Sequence, residues 1–204
     1  IPNSTEMFKK FLLLLLTCTT FLAANAQTAS TAVTDSTKMA KRIALSVYPL
    51  LKAGEGSGVL PVPVVTEKPD PDIDYKLLFD FVVKNPDSLA GELNHGLVEI
   101  VRRLNLHAAS GIPSKRLFPV IVVHSAAINA VKTNESYRKK FNINNPNIEL
   151  IQQLQQLGAR FIVCGQTMEI NDLTKNDLLP GMGISVSAQN MLSFYQLKGY
   201  VFFK

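Results

Sequence analysis

The chain contains little cysteine, histidine or charge, and it contains no tryptophan. Its 204 residues include two cysteines and three histidines, and 18% of them are charged. Two cysteines do not make a disulfide framework, and three scattered histidines lack the spacing of a metal site, so we assign no metal and no cofactor. The net charge of +5 is mild, and the basic residues are spread along the chain. We therefore expect no nucleic-acid partner.

Residues 1–26 have the pattern of a secretion signal. Two lysines precede an apolar run, and a small-x-small site ends at Ala26. This pattern predicts cleavage after Ala26, export to the periplasm, and no transmembrane segment once the signal is removed. The residues before Met7 are interpreted as lying upstream of the natural start. Acylation of Cys18 is the alternative, but the residue before such a cysteine is normally very small, and here it is Thr17.

A glycine- and proline-rich arm follows the signal over residues 27–74. Its beginning is rich in Thr, Ala and Ser, and a short helix is predicted over residues 42–51. The prolines beyond Gly58 exclude a helix or a central strand, so this stretch is predicted to lie extended on a surface. Because it is too apolar for a free linker, we expect it to pack against its own domain or against a neighbouring subunit.

Residues 75–204 alternate between strand and helix patterns. The predicted strands cover residues 75–83, 118–123, 161–164, 184–186 and 200–203. The predicted helices cover residues 89–104, 129–141, 145–157 and 188–197, with Ser88 and Asn145 as the caps of the first and third. This order predicts an α/β domain of three layers, with a mostly parallel five-stranded sheet between helices.

Cys164 is the only cysteine that remains after the predicted cleavage. It ends an apolar strand, at the sheet edge where such folds place ligands and chemistry. It is either a small core residue or a reactive thiol, since free cysteine is often buried while its thiolate is a nucleophile. The turn over Gly165, Gln166 and Thr167 could direct backbone N–H groups at the sulfur. Gln166 and Thr167 either hold a substrate or cap the loop.

His124 ends the second predicted strand, so it should lie at the same sheet edge as Cys164. It could supply a proton or favour the thiolate. The alternative is a partly buried histidine that is bonded to the backbone. Thiol hydrolysis by these two residues would require their side chains to lie within hydrogen-bond reach.

Five short segments occur in one order along the domain. They are His124-Ser125-Ala126, Asn145-Pro146-Asn147, Val163-Cys164-Gly165-Gln166-Thr167, Asp177-Leu178-Leu179-Pro180-Gly181 and Gln196-Leu197-Lys198-Gly199-Tyr200. Together they resemble the DsrE/DsrF-like family of small sulfur-relay proteins, in its secreted single-domain form. The resemblance implies a flavodoxin-like domain that forms homo-oligomers, often trimers or hexamers. It also implies that Cys164 carries sulfane sulfur as a persulfide. Ser125 departs from the pattern, because the family often has glycine after this histidine.

The sequence thus predicts an exported sulfur carrier or sulfurtransferase that works with a thiol or sulfur-donor partner. Two features differ from the family pattern: its members usually work in the cytoplasm, and after the predicted cleavage this chain has no second cysteine to resolve a persulfide. The alternative prediction is a non-catalytic oligomeric module for binding or assembly, in which Cys164 is structural. Burial of the sulfur among apolar neighbours would favour the alternative.

Overall fold

The computed structural model describes residues 35–204. The predicted signal peptide therefore lies outside the described residues. The chain divides into two units, Ile1–Leu45 and Ser46–Lys204. In the first unit, the described residues form one helix, α1, over residues 35–45. The helix predicted over residues 42–51 is wrong beyond residue 45, because the following segment turns to make hydrogen bonds with the domain.

A five-stranded parallel sheet forms the centre of the second unit. Its strands are β1 (Tyr75–Phe81), β2 (Leu117–Val123), β3 (Arg160–Cys164), β4 (Gly183–Ser185) and β5 (Val201–Phe203). The strand order is β4-β3-β2-β1-β5, and each neighbouring pair is parallel. The predicted α/β class and the five-stranded parallel sheet are confirmed.

Helices cover both faces of this sheet. They are α2 (His95–Ala109), α3 (Asn134–Phe141), α4 (Ile148–Gln156), α5 (Gly165–Ile170) and α6 (Ala188–Leu197). Strands β1 to β4 advance across the sheet in one direction, and right-handed crossovers then keep α2 and α4 on one face. The chain returns to the far side of β1 to form β5, so α6 crosses the opposite face.

The two faces bury cores of different size. The larger core lies under α2 and α4, and its largest fully buried side chains are Phe79, Phe81, Phe161, Leu77, Leu97, Leu104, Ile121, Ile128, Ile151, Leu154 and Val101. The smaller core lies under α6 and consists of Leu78, Val120, Val122, Ile162, Cys164, Ala188 and Tyr195. Cys164 therefore belongs to the α6 face of the sheet.

Helix α2 begins later than its apolar periodicity predicts. Ser88 lies in a short 3-10 turn, and Asn94 is the cap, because its side chain accepts the Gly96 N–H at 2.8 Å. The carboxamide of Asn85 holds the intervening loop by donating to the carbonyls of Leu89 and Leu93. The predicted Ser88 cap is wrong, since these side-chain bonds compete with a helical turn.

The helix predicted over residues 129–141 is divided in two. A 3-10 helix spans Ser125–Val131, and α3 begins only after Thr133, whose hydroxyl accepts the Ser136 N–H. The backbone of Thr133 is occupied by a hydrogen bond from its own N–H to the Asp177 carbonyl. This long-range contact interrupts the helix.

Asn145 does not cap α4 as predicted. Its buried side chain donates to the carbonyls of Ala130 and Lys132 and accepts the Asn147 N–H. It therefore fastens the turn before α4 to the segment before α3. Asn147 occupies the cap position of α4, without a hydrogen bond from its own side chain to the helix. Helix α4 ends just before Gly158, which has a φ of +90°.

The arm has a packed part and an exposed part. Asn105 on α2 is fully buried, and its side chain bonds the backbone of Leu50, Leu51 and Ser57. These bonds hold residues 50–59 against α2. All residues from 60 to 74 are exposed.

Candidate functional site

Cys164 lies where the chain leaves two neighbouring strands toward opposite faces of the sheet. After β3 the chain enters α5, whose Met168 packs in the larger core. After β4 it enters α6, whose Ala188 packs in the smaller core. Such a switch point at the carboxyl ends of parallel strands is the usual place for a ligand in an open α/β sheet.

Gly165 allows α5 to begin against the end of β4. A Cβ atom built on Gly165 would lie 2.6 Å from the Ser185 carbonyl oxygen, which is shorter than any normal contact. The next residue, Gln166, donates its N–H to the Val186 carbonyl at 3.2 Å. Glycine is therefore required here by the close approach of two backbones, and this approach brings the first turns of α5 and α6 together around Cys164.

The Cys164 sulfur is buried but has polar neighbours. The side chain is 5% exposed and belongs to the apolar core under α6. Burial raises the pKa of the thiol, but the nearby Thr167 hydroxyl and the backbone N–H groups of Thr167, Ala188 and Gln166 lower it. These polar groups outweigh burial, so the pKa of Cys164 lies below its ordinary value. This site therefore combines a closed surface with donors that favour a thiolate.

His124 is bonded on both ring nitrogens by side chains other than that of Cys164. Its Nε2 lies 2.7 Å from Asp80 Oδ1, and its Nδ1 lies 3.1 Å from Ser125 Oγ. The direct pair with Cys164 that thiol hydrolysis would require is therefore not formed. The alternative, in which the ring bonds the backbone, is not observed either, because the Asp80 carboxylate and the Ser125 hydroxyl bond the two ring nitrogens.

Asp80 and Ser125 are polar residues of this edge that the sequence analysis missed. The sheet register places Asp80 beside Val122 of β2, which shares the α6 face with Cys164. Ser125 has a φ of +53°, in the left-handed region, and its N–H donates to Thr167 Oγ1 at 3.1 Å. Thr167 thus joins the histidine end of the edge to the cysteine end. A single carboxylate in an apolar strand was the signal for Asp80, and a serine where the family often has glycine was the signal for Ser125.

A cavity of about 260 Å³ opens at the carboxyl ends of β1 and β5. It is lined by Phe79, Asp80, Phe81, Val83, His95, Gly96, Glu99, Ile100, Arg103, Phe203 and Lys204. Asp80 is one of the residues that line the cavity, and its carboxylate also bonds His124. Cys164 is not among the lining residues. The cavity and the cysteine are two separate parts of the same sheet edge.

A metal-binding cluster and a membrane-spanning helix are both absent from residues 35–204, the range that the structure describes. No three His, Cys, Asp or Glu side chains in that range come together as they would around a metal ion. Within the same range, no helix is both long and apolar enough to cross a membrane.

Comparison with known proteins places this domain in a family. A protein of unknown function from Methanobacterium thermoautotrophicum has a similar structure, with a TM-score of 0.48 and 20% sequence identity over 64% of this chain and 98% of that chain. No curated protein matches the chain. The model of the DsrE/DsrF-like family matches residues 76–204, which is more than half of the chain. The chain therefore belongs to the DsrE/DsrF-like family.

Proposed function

We propose that this protein carries sulfane sulfur as a persulfide on Cys164. Membership of the DsrE/DsrF-like family suggests sulfur relay. The observation that supports the assignment to this residue is the set of donors around its sulfur, from Thr167, Gln166 and Ala188. These donors favour the thiolate, which is the nucleophilic form of cysteine.

The proposed reaction is an exchange at sulfur. The Cys164 thiolate attacks the terminal sulfur of a persulfide or inorganic polysulfide, so that a new S–S bond forms and the old S–S bond breaks. The donor leaves as a thiolate or as a shorter polysulfide. An acceptor thiolate then attacks the outer sulfur of the Cys164 persulfide, takes that sulfur and releases the Cys164 thiolate. Cys164 is the only cysteine in residues 35–204. Once the predicted signal with Cys18 is removed, the sulfur donor and the acceptor thiol would both be other molecules.

The N-terminal pattern adds a location to this proposal. The basic residues, the apolar run and the small residues that end at Ala26 are those of an exported protein. The sulfur donor and the acceptor would then be molecules of the periplasm. That compartment is oxidising. Because the Cys164 sulfur is buried, a persulfide on it would be shielded there from oxidants and from competing thiols.

The burial of Cys164 supports a second candidate function. A sulfur that is 5% exposed can be a small core residue in a non-catalytic module for binding or assembly. The two candidates differ in whether a polysulfide reaches the sulfur. Transfer requires the terminal sulfur of the donor, and later an acceptor thiolate, to reach the Cys164 sulfur.

Intact-mass measurement after incubation with inorganic polysulfide tests the proposal. The mature protein, which begins at Gln27 once the predicted signal is removed, is expected to gain the mass of one sulfur atom, and a thiol reductant should remove it. The Cys164→Ala variant is expected to gain nothing. An unmodified protein, under conditions in which a small free thiol is converted, would contradict the carrier proposal and favour the structural cysteine.

Removal of the Thr167 hydroxyl is expected to shift the pH dependence of the thiol. Thr167→Val eliminates a donor that stabilises the thiolate, so the pKa of Cys164 should rise and the thiolate should form only at higher pH. The rate of alkylation by a small reagent, measured against pH, should have a higher midpoint than in the unsubstituted protein. Thr167→Ser keeps the hydroxyl and is the matched control. Equal midpoints in all three proteins would show that the Thr167 hydroxyl does not lower the pKa of Cys164.

A further inference from the structure

The exposed part of the arm, residues 60–74, is unusually apolar at its beginning and acidic at its end. Leu60, Val62, Val64 and Val65 are between 47% and 76% exposed. The rest of this segment contains four acidic residues and one lysine. A protein rarely leaves so many neighbouring apolar side chains in water unless another surface covers them.

Both ends of this segment are held on its own subunit. The preceding residues are fixed to α2 by Asn105, on the sheet face opposite to α6. At the other end, Asp74 forms an ion pair with Arg116 at 2.8 Å, and the Tyr75 hydroxyl donates to the Asp70 carbonyl. The apolar part between these anchors does not cover α6 of the same chain, because Val64, Phe194 and Leu197 all remain exposed.

The α6 helix carries no charged residue over its whole length, Ala188–Leu197. Two of its apolar side chains, Phe194 and Leu197, are 44% and 89% exposed. An exposed helix without charge is typical of an interface, because charged residues are depleted at interface cores. The helix thus offers a second uncovered apolar surface.

Basic residues surround the end of α6. Lys76 of β1 and Arg160 of β3 lie on the α6 face near the amino ends of their strands, with Phe118 of β2 between them. Lys198 follows the helix directly. Lys76, Arg160 and Lys198 are exposed, and the Lys198 ammonium lies 4.9 Å from the Phe194 ring centre. At this end of the helix, the exposed surface of the α6 face is therefore apolar and basic. This composition is complementary to that of the apolar and acidic arm segment.

We propose that residues 60–74 of one subunit dock on the α6 face of a second copy of this chain. The apolar residues of the arm would cover Phe194 and Leu197. Its acidic residues Glu67, Asp70 and Asp72 would meet the three basic side chains, while Asp74 stays paired with Arg116 of its own subunit. This inference goes beyond homo-oligomerisation by naming the two surfaces that meet, and it does not depend on the sulfur chemistry.

The prolines of the arm favour this docking. The segment contains four of them, at positions 61, 63, 69 and 71. Proline restricts φ, so an arm with this composition loses less conformational entropy when it is immobilised on a partner. Apolar burial would supply the affinity, and the opposite charges would orient the arm and increase the rate of association.

Disulfide trapping tests whether the arm reaches a second subunit. Val64→Cys and Leu197→Cys are introduced separately into a protein that carries both Cys18→Ala and Cys164→Ala, and the two purified variants are mixed under mild oxidation. A disulfide-linked pair that contains one of each chain is expected. Ile170→Cys replaces Leu197→Cys in the control, because Ile170 is 81% exposed but lies outside the α6 face. Equal trapping at positions 170 and 197 would overturn the proposal.

The oligomer mass provides the second measurement. Val62→Asp together with Val64→Asp should weaken self-association by at least about tenfold in sedimentation equilibrium, since apolar anchors carry most of the binding energy. Ile170→Asp is expected to leave it unchanged. A Val64→Cys, Leu197→Cys double variant that closes the disulfide within one chain at high dilution would show docking on its own subunit and overturn the proposal. An unchanged oligomer mass in the arm variant would overturn it as well.

Discussion

Replacement of Asn105 by alanine is expected to destabilise the protein by about 3–5 kcal/mol. The side chain is fully buried, accepts the N–H groups of Leu50 and Leu51, and donates to the carbonyls of Leu51 and Ser57. Alanine leaves these four backbone groups without their partner and opens a small cavity. The segment from 50 to 59 should then separate from α2 before the sheet unfolds.

Urea unfolding and hydrogen exchange measure this effect. The Asn105→Ala protein should unfold at a lower urea concentration, and the amides of Leu50 and Leu51 should lose protection first. Asn176→Ala is the matched control, because Asn176 is exposed and its replacement should change the free energy of unfolding by less than about 0.5 kcal/mol. A similar loss in both variants would contradict the role assigned to Asn105.

Gly165→Ala is expected to disrupt the cysteine site and to cost about 1–3 kcal/mol of stability. The new Cβ atom would lie 2.6 Å from the Ser185 carbonyl oxygen, so either α5 or the end of β4 must move. The donors from Gln166 and Ala188 would then leave the Cys164 sulfur, and the pKa of the thiol should rise toward its ordinary value. Persulfide formation near neutral pH should be slower than in the unsubstituted protein, since it requires the thiolate.

The matched control for this variant is Gly91→Ala. A Cβ atom at Gly91 would make only an ordinary contact, at 3.7 Å from the Ile143 side chain, and the residue does not have a positive φ. Thermal unfolding and the alkylation rate against pH should therefore be nearly unchanged. If Gly165→Ala behaves like Gly91→Ala in both measurements, the close approach of α5 and β4 is not what organises the site.

The sheet was predictable because its strands are buried on both faces. Apolar runs such as those of β2 and β3 have few alternatives to a covered strand, and their alternation with helical segments predicts parallel pairing. The structure places these strands close to the predicted ranges. The start of α2 was not predictable from its apolar periodicity, because it depends on specific polar contacts. Asn85 bonds the Leu93 carbonyl, 8 residues later, and the Asn94 N–H donates to the Asn147 side chain, 53 residues later.

The candidate site was predictable only in part, for a related reason. The position of Cys164 after an apolar strand, with a glycine next to it, indicated the sheet edge. The direction of the His124 ring depends on Asp80, which lies 44 residues earlier in the sequence. The donor from Ala188 reaches the sulfur only because β4 pairs beside β3.

The sequence by itself determined the α/β class, the succession of strands and helices, and the place of the cysteine at the end of a strand. These follow from local periodicity and from glycine positions, which each segment carries alone. The tertiary structure decided the partner of His124, the donors to the Cys164 thiolate and the exposure of the arm. Each of these depends on contacts between segments that are distant in sequence, and no local pattern encodes such contacts.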